Sequence, residues 1–496
     1  MNALLVYPEF PETFWSFKHA VKFVGRKAAN PPLGLLTVAA LLPSEWNKRL
    51  VDLNVRKLEK KDLEWADVAL VSAMTVQKES ARQVIRLLKE NGVRVVAGGP
   101  LFTVTPEEFP EVDHLVLNEG ELTLPAFLSD FAEGRAGRLY SSADYADLGR
   151  TPAPLWGLIN PRDYAAMSIQ YSRGCPFRCE FCNVTALLGH KPRTKSTEQI
   201  ITELDSLRRL GWKASVFFVD DNFIGKKHEL KNELLPALIR WQREHRQLSF
   251  FTEASIDLAD DPELVDMMVA AGFNMVFIGI ETPHEESLAE AKKLNNCRRD
   301  LLRDVKYLQR SGLEVQGGFI VGFDSDPPDI FRLQREFIQK SGIVTAMVGM
   351  LQAIPGTRLY ERLQREGRLK GQCHGDNVAS STNIVPLMGI EKLQTGYRDL
   401  LENLYSPKHF YRRLGVFLRE YRLPRIQAKL DFQHKMAFFR SVFHLGLVGK
   451  ERFHYWKLIA WTTLTHPRML PVAVTLAIYG HHFRIVCERN VLKEGC

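Results

Sequence analysis

The stretch "YSRGCPFRCEFCNVTALLGHKPRTKS", residues 171–196, holds Cys175, Cys179 and Cys182, three of the seven cysteines in this 496-residue chain. The other four stand singly: Cys297, Cys373, Cys487 and Cys496. This spacing indicates no disulfide framework. The N-terminal sequence "MNALLVYPEF" lacks the pattern of a signal peptide, so we expect a reducing, cytoplasmic setting.

The three clustered thiols indicate a metal site. Glycine, proline and arginines surround them, which is typical of an open loop and not of a core. Three thiolates suit a cubane 4Fe-4S cluster with one iron left for an outside ligand. The alternative is zinc, with His190 as fourth ligand, but structural zinc sites usually combine two ligand pairs and His190 lies in a basic loop.

Apolar segments alternate with segments of helical periodicity after this loop. The predicted strands are 167–172, 215–222, 249–255, 274–281, 314–323 and 345–352. The clearest predicted helices, each closing on glycine, are 197–211, 261–272 and 298–312. Six β/α units predict a parallel sheet in a partial (β/α)6 barrel, with its chemistry at the carboxyl ends of the strands.

Polar residues gather at those predicted strand ends. They are Asp220, Asp221, Asn222, Glu253, Ser255 and Glu281. Each alone is an ordinary cap or turn former, but three successive strands that end this way favour a shared site. Gly317 and Gly318 lie on the fifth strand, where a missing side chain permits close approach of a ligand or of backbone.

Residues 1–140 form a separate α/β unit in the prediction. Its strands are 2–8, 48–54, 67–74, 94–100 and 114–121, with helices at 32–43 and 78–92. This order predicts a doubly wound sheet whose ligand lies beyond the carboxyl ends of the strands. Those ends carry Ser72, Thr75, Gly98, Gly99, Pro100, Glu119, Gly120 and Glu121. No G-x-G-x-x-G follows the first strand, so we do not expect a dinucleotide.

The spacing Cys-x3-Cys-x2-Cys, with Phe181 just before the last cysteine, resembles that of the radical S-adenosylmethionine (SAM) enzymes. In that family the open iron binds SAM, and one electron cleaves it to a 5'-deoxyadenosyl radical. The resemblance implies that the segment 220–222 meets the amino group of SAM, and that Glu253 and Ser255 lie near its ribose and carboxylate. Many relatives have arginine at the position of Ser255. The set of SAM contacts that we predict also includes Phe181, Glu281, Gly317 and Gly318.

Joined to this loop, residues 1–140 resemble the cobalamin-binding domain of a large radical SAM subgroup. The predicted cobalamin contacts are Ser72, Thr75, Gly98, Gly99, Pro100, Glu119 and Gly120. Many such domains carry D-x-H-x-x-G, whose histidine lies beneath cobalt. The first loop here lacks that motif and its only histidine, His19, is expected in a helix, so the lower ligand of cobalt stays open.

The C-terminal region is basic. From Ser406 to Cys496 there are sixteen Lys and Arg against five Asp and Glu, net +11, whereas the whole chain is +8. The longest apolar run, Met469 to Gly480, has 12 residues, short of the roughly 20 that span a bilayer. The alternatives are a solvated helical cap, a membrane-surface contact and, least favoured because no binding fold accompanies the charge, nucleic acid.

The whole chain resembles the hopanoid C-methylases, through "CEFCNV", "PRTKSTEQI", "FVDDNFIG", "TEASIDLADDPEL", "IGIET" and "GFIVGFDSD". The predicted domains are 1–140 (cobalamin), 141–165 (linker), 166–370 (radical SAM) and 371–496 (basic helices). The resemblance implies a cobalamin-dependent C-methyltransferase that acts on an unactivated carbon, such as one in a hopanoid. It further implies an external electron donor such as flavodoxin or ferredoxin, and a cytoplasmic protein peripheral to the inner face of the membrane.

Other functions stay open at this point. The methyl acceptor could be a protein side chain or a tetrapyrrole, or the reaction could be a cobalamin-linked radical cyclisation or rearrangement without methyl transfer. A cobalamin or SAM sensor is the alternative outside the enzymes. The intact cysteine triad argues against a sensor, and detection of 5'-deoxyadenosine after reduction would distinguish the two.

Overall fold

The computed structural model describes residues 1–245, 248–376, 378–424, 426 and 432–491. The chain divides into two compact units. The first comprises Met1–Pro11, Lys27–Pro176 and Asn183–Trp212, and the second comprises Glu12–Arg26, Phe177–Cys182 and Lys213–Cys496. Residues 12–26 thus belong to the second unit, although the sequence suggested one N-terminal domain over 1–140. The domain boundaries at 140, 165 and 370 stay predictions.

The first unit is built on a six-stranded parallel sheet. Its strands are β1 (Asn2–Tyr7), β2 (Asn47–Asp52), β3 (Val68–Ser72), β4 (Arg94–Gly98), β5 (His114–Val116) and β6 (Leu139–Tyr140), in the order β2-β1-β3-β4-β5-β6. The five predicted strands are confirmed. The predicted fifth strand is too long, because β5 ends at Val116 and Gly120 already begins a helix. β6 has two residues, too few for a sequence pattern.

All strands are parallel, but the chain adds β2 on one side of β1 and the later strands on the other side, beginning with β3. The crevice of a doubly wound sheet lies at such a reversal of strand order, beyond the carboxyl ends of the strands. The helices of the unit are α1 (Leu33–Leu41), α2 (Lys60–Trp65), α3 (Lys78–Glu90), α4 (Pro100–Val104), α5 (Gly120–Ala132), α6 (Val184–Leu188) and α7 (Thr197–Arg209). The unit also contains the strand β7 (Met167–Ile169) and the antiparallel pair β8 (Ser172–Arg173) and β9 (Arg193–Thr194).

The second unit contains the remaining strands of the predicted barrel. They are β10 (Val216–Phe218), β11 (Phe250–Glu253), β12 (Phe273–Glu281), β13 (Glu314–Val321) and β14 (Ala346–Met350), which pair in parallel in chain order. With β7, all six predicted barrel strands are present. They read as apolar runs in the sequence because parallel strands are covered on both faces.

The helices that follow these strands are α8 (Lys227–Glu229), continued by a π-helix (Leu230–Leu234) and α9 (Leu235–Glu244), then α10 (Pro262–Ala271), α11 (Glu285–Glu290), α12 (Leu301–Ser311), α13 (Ile330–Ser341) and α14 (Arg358–Arg365). The predicted glycine stops of α10 and α12 are confirmed. Gly272 and Gly312 have φ of +103° and +107°, a conformation that residues with a side chain rarely adopt.

The C-terminal region is helical, as predicted. It contains α15 (Ile390–Tyr405), α16 (Pro407–Glu420), α17 (Phe432–Ser441), a π-helix (Val442–Val448), α18 (Arg452–Thr465) and α19 (Leu470–Asn490). The stretch Pro467–Asn490 is the one helix in the described ranges that is long and apolar enough to cross a membrane, and about half of its apolar window (56%) is buried in the protein.

This finding differs from the sequence expectation of a 12-residue apolar run, because the helix continues through His481 and His482 into Phe483 and Val486. Its packing is that of a core helix. The Phe483 ring stacks on that of Phe14 at 3.9 Å, and the His482 ring lies 2.9 Å from the Phe14 carbonyl oxygen. The apolar part of α19 is therefore longer than 12 residues, but the helix packs against other parts of the protein.

Candidate functional site

The cysteine loop runs from β8 to α6, and Cys175, Cys179 and Cys182 are half-buried on it. Gly174 begins the loop with φ +91°, and a Cβ there would lie 3.0 Å from the carbonyl oxygens of Leu188 and Gly189. Glycine is thus required where the chain turns into the loop. The six described cysteines are free thiols, and Cys496 lies outside the described residues.

The second half of the loop is anchored by Glu180. Its backbone N–H donates to the Ala291 carbonyl at 2.9 Å, and its carboxylate accepts from Arg362 at 3.0 Å. Arg362 is shared with Asp324, also at 3.0 Å. Phe181, the aromatic residue of the motif, is half-buried with its ring 6.2 Å from that of Phe323. Side-chain contacts therefore hold the segment that carries two of the cysteines.

An ion pair lies beside these two cysteines. Lys293 Nζ contacts Glu281 Oε1 at 2.9 Å. Burial disfavours the charged lysine, but the negative charges of Glu281, Cys179 and Cys182 outweigh burial and raise the pKa of Lys293. The lysine is therefore held as a cation beside Cys179 and Cys182. The sequence analysis did not identify Lys293, since nothing in "AKKLNN" distinguishes it from a surface lysine.

Glu281 lies at a distorted end of β12. Its φ is +62°, which is unusual for a residue with a side chain, and the pairing with β13 shifts register between Gly279 and Glu281. A Cβ on Gly279 would lie 2.9 Å from Lys293 Nζ. Strained backbone held by its surroundings is common at functional sites. Gly279 and the irregular pairing of β12 with β13 thus leave the space that the Glu281–Lys293 ion pair occupies.

The polar ends of β10 and β11 meet, as the sequence predicted. Asn222 Oδ1 accepts from the Ser255 backbone N–H at 3.1 Å and from its hydroxyl at 3.3 Å. Burial, followed by the charges of Asp221 and Asp220, raises the pKa of Glu253 to about 8. Three carboxyl groups thus share this edge. Such a group attracts a cation or hydroxyl donors.

Gly317 and Gly318 on β13 are buried. A Cβ on Gly318 would lie 2.8 Å from the Phe277 ring, and one on Gly317 would lie 2.7 Å from the Phe319 ring and 3.2 Å from Ile343. The sequence analysis expected a ligand or backbone beside these glycines. The neighbours that exclude a side chain here are instead aromatic and aliphatic side chains of the core.

The corresponding edge of the first unit is made largely of backbone. The predicted residues Ser72, Thr75, Gly98, Gly99, Pro100 and Gly120 are all half-buried. Gly99 has φ +88°, and a Cβ on it would lie 2.5 Å from Ser72 Oγ. A Cβ on Gly98 would lie 2.5 Å from the Val116 carbonyl oxygen, whereas one on Gly120 would meet only Val38, at 3.8 Å. The glycine pair therefore keeps this edge free of bulky side chains.

Glu119 is buried in an ion network and does not face an open edge. Its carboxylate accepts from Arg173 and Arg193, both at 2.8 Å, and from the Ala146 backbone N–H at 2.7 Å. Glu121 pairs with Arg173 at 2.8 Å. The sequence analysis placed both acids at a strand end. They lie at the start of α5, and the two arginines, which are distant in sequence, were missed.

His19 is not in a helix, so that expectation is wrong. It lies in a turn before the short 3-10 helix Val21–Val24, with Nε2 3.0 Å from Glu12 Oε1. His19 belongs to the second unit, as does Glu12.

The three cysteines fit an iron–sulfur cluster by their chemistry. Soft thiolates are the ligands that such clusters take, and all three are partly accessible. A fixed cation beside two of them balances the charge of a thiolate-bound cluster. In the described ranges, no three or more His, Cys, Asp or Glu side chains are gathered closely enough to hold a metal ion. The case for a cluster therefore rests on the chemistry of the three thiol groups and on the cation beside two of them, and not on the distances between the cysteines.

Comparison with known families identifies three regions of the chain. Residues 24–128 match the B12 binding domain, residues 169–372 match the radical SAM superfamily, and residues 357–494 match a domain of unknown function (DUF4070).

Two relatives match almost the whole chain. An uncharacterised methyltransferase of Synechocystis sp. is 40% identical over 97% of this chain and 91% of its own length. The hopanoid C-2 methylase of Rhodopseudomonas palustris is 34% identical over 92% of this chain and 88% of its own. The chain belongs to the cobalamin-dependent radical SAM methyltransferases. The predicted enzyme class is thereby confirmed, as are the predicted cofactors, a 4Fe-4S cluster, SAM and cobalamin.

Solved structures agree on the fold. The cobalamin-dependent radical SAM enzyme OxsB superposes with a TM-score of 0.64 at 16% identity, covering 99% of this chain and 80% of that one. The methyltransferase TsrM from Kitasatospora setae superposes with a TM-score of 0.58 at 18% identity, covering 74% and 77%. The predicted fold class, a cobalamin-binding sheet, a radical SAM barrel and a helical C-terminal region, is confirmed.

Proposed function

We propose that this protein transfers a methyl group from SAM to an unactivated carbon of a polycyclic lipid such as a hopanoid. The observation that carries the proposal is the 34% identity to a hopanoid C-2 methylase across 88% of that protein's length. An unactivated carbon has neither an acidic proton nor a lone pair, so a side-chain acid or base cannot begin the reaction and cofactors must supply it.

Cys175, Cys179 and Cys182 would hold the 4Fe-4S cluster. When bound, the cluster supplies a coordination point and an electron for SAM. The loop contributes the ligands, and the contacts of Glu180 with Ala291 and Arg362 fix the segment between the second and third cysteines. We further propose an external one-electron donor such as flavodoxin or ferredoxin, because no side chain can supply that electron.

SAM would be bound at the ends of β10, β11 and β12. Its methionine part carries an ammonium group and its ribose carries hydroxyls, and both are matched by the carboxyl cluster of Asp220, Asp221 and Glu253. A cation that enters this cluster lowers the pKa of Glu253 and drives the loss of its proton. The remaining residues proposed for the SAM site are Phe181, Asn222, Ser255 and Glu281, with Gly317 and Gly318. The two glycines would contribute through their backbone only, because core side chains occupy the space beside their Cα atoms.

Cobalamin would be bound at the strand ends of the first unit. We propose contacts made mainly through backbone, because glycines leave room for a large planar ligand there. The proposed positions are Ser72, Thr75, Gly98, Gly99, Pro100, Glu119 and Gly120. The carboxylate of Glu119 is already engaged by two arginines, so its part is to fix the start of α5. His19 pairs with Glu12, and we propose no histidine of that loop as the lower cobalt ligand.

The proposal is tested with anaerobically reconstituted protein, a reductant and methyl-deuterated SAM, offered membrane lipids, tetrapyrroles and proteins in parallel. We expect 5'-deoxyadenosine, together with label in an apolar lipid. Label in a protein or a tetrapyrrole would replace the lipid as substrate. 5'-Deoxyadenosine with an unlabelled rearranged product would indicate cyclisation, and the absence of any turnover with intact cofactors would indicate a sensor.

A further inference from the structure

The helix α18 is apolar on two opposite faces. Its inner face, Tyr455, Leu458, Ile459 and Thr462, is buried. Its outer face carries Phe453 at 75% exposure, Trp456 at 44% and Leu464 at 83%. A surface helix of a water-soluble domain is normally apolar only towards the core. The outer face therefore presents large apolar groups that the fold does not use.

The segment before α18 repeats this feature. In α17 and the π-helix after it, Phe432, Phe439, Phe443, Leu447 and Val448 are exposed at about one-turn spacing. Trp456 Nε1 donates to the Gly446 carbonyl at 3.0 Å, which ties this segment to α18. We name residues 432–465 the aromatic hairpin. Every exposed phenylalanine and tryptophan in the described part of the chain lies on it.

The charges of the aromatic hairpin have one sign at its surface. Lys435, Lys450, Arg452 and Lys457 are exposed among the apolar groups. The single acidic residue in the segment, Glu451, is buried and paired with Arg484 at 2.7 Å. A second copy of this surface would bring like charges together, which disfavours self-association.

The hairpin thus mixes apolar side chains with lysine and arginine and has no exposed acid of its own, although Lys450 also pairs with Glu488 of α19 at 3.1 Å. This composition matches one kind of partner. Aromatic and aliphatic groups enter the boundary between headgroups and acyl chains, and the cations remain at the anionic headgroups. We propose that the aromatic hairpin docks the protein peripherally on an anionic lipid bilayer. This inference rests on the proposed function in one respect: docking would give the enzyme access to a lipid substrate. The docking does not require turnover.

The helix α19 does not fill this role. It is the one described helix long enough to span a bilayer, but its side chains pack on Phe14 and on Phe410, and Gly480 leaves the space that the Phe410 ring occupies. Contact is therefore with the membrane surface, through α17, the π-helix and α18.

The test is flotation of the full chain with vesicles of mixed phosphatidylglycerol and phosphatidylcholine, or of phosphatidylcholine alone, at low and high salt. One variant removes apolar groups (Phe453→Ser with Leu464→Ser). Another removes charge (Lys450→Gln, Arg452→Gln and Lys457→Gln). The control replaces two exposed leucines elsewhere, Leu139→Ser with Leu387→Ser, which are 58% and 67% exposed. Thermal melting shows whether each variant folds.

We expect wild type and control to float with anionic vesicles and to be released by salt. The apolar variant should bind at least about tenfold more weakly, and the charge variant should lose its preference for anionic vesicles. As a second readout, quenching of fluorescence by brominated lipid should decrease in Trp456→Phe. Wild type that does not float, or variants that float as wild type does, would overturn the proposal. So would a change of oligomeric state in the variants, which would make the surface a protein interface.

Failure here is distinct from failure of the proposed function. SAM cleavage without lipid should be equal in wild type and all three variants. If wild type floats as expected but labels no lipid, the docking stands and the substrate is wrong. If lipid in detergent is methylated while the hairpin variants float unchanged, the substrate stands and the docking is wrong.

Discussion

The two parallel sheets present opposite chemistry at the carboxyl ends of their strands. At the edge of the first sheet, Gly98 and Gly99 leave backbone exposed where a Cβ would collide with Val116 or Ser72. At the edge of the second sheet, Asp220, Asp221 and Glu253 bring three carboxyl groups together. Both edges follow the rule that α/β sheets bind ligands beyond their strand ends.

The difference is what the two proposed ligands would require. A large planar ligand needs side chains removed, whereas a small charged ligand needs fixed counter-charges. The first edge should therefore be sensitive to added volume, and the second to altered charge.

The largest effect is expected at the cysteine loop. Cys179→Ala should abolish both bound iron and the formation of 5'-deoxyadenosine, because two thiolates are too few to hold a cubane cluster. Iron and sulfide analysis with visible absorption measures the cluster. The control is Cys297→Ala, also half-buried, which should keep both properties. Full iron content in Cys179→Ala, or equal losses in the two variants, would contradict the ligand assignment.

The glycine edge should respond to a single methyl group. Gly99→Ala should lower the free energy of unfolding by about 2–4 kcal/mol and reduce cobalamin uptake, because it adds both backbone strain and a clash with Ser72 Oγ. The control is Gly134→Ala, at φ +71° with open space around it, which carries only the strain. Adding Ser72→Ala should recover the part due to the clash. Equal losses of stability and cobalamin uptake in Gly99→Ala and Gly134→Ala, with no recovery on adding Ser72→Ala, would show that the added methyl group does not act through its volume.

The carboxyl edge should show a pH-dependent stability. Glu253 keeps its proton up to about pH 8 in the folded chain but loses it near its ordinary pKa of 4.5 when unfolded. The folded state is thus disfavoured progressively as pH rises through that window. Glu253→Gln lacks this penalty. The difference in free energy of unfolding between the variant and wild type should therefore shift in favour of the variant by about 1–3 kcal/mol between about pH 5 and about pH 9, measured by denaturant unfolding without ligand. The exposed Glu244→Gln is the control. Parallel pH profiles for wild type and Glu253→Gln would refute the raised pKa.

The smallest effect is expected from the cation beside the cysteines. Lys293→Met removes a positive charge near Cys179 and Cys182, so reduction of the cluster becomes harder and its midpoint potential falls by roughly tens of millivolts. EPR-monitored redox titration measures the potential. Lys293→Arg should retain it, and Lys292→Met, at the exposed neighbouring lysine, should leave it unchanged. A higher or unchanged potential in Lys293→Met would show that this charge does not reach the cluster.

Much of this arrangement was predictable from sequence because its signals are local. The strands are continuous apolar runs, and the turn residues that follow β10, β11 and β12 stand directly after them. The cysteine spacing is a local signal of the same kind. The sequence therefore predicts the polar edge and the cysteine loop.

What the sequence could not supply are contacts between distant segments. Lys293 reaches the cysteines only because α11 returns the chain to the end of β12. Arg173 and Arg193 take up Glu119 from more than fifty positions away. Gly318 faces Phe277 of the neighbouring strand β12, and Gly317 faces Ile343, which precedes β14; neither contact is indicated by the spacing along β13.

The most direct test of the account is isotope tracing with and without cobalamin. Protein carrying its cluster is incubated with reductant, methyl-deuterated SAM and the proposed polycyclic lipid, after reconstitution with cobalamin or without it. Both labelled lipid and 5'-deoxyadenosine are measured by mass spectrometry. If SAM is bound at the charged edge and the cluster at the cysteine loop, 5'-deoxyadenosine should form in both preparations, and labelled lipid only with cobalamin. Equal yields of labelled lipid in the two preparations would contradict a methyl transfer that needs the glycine edge.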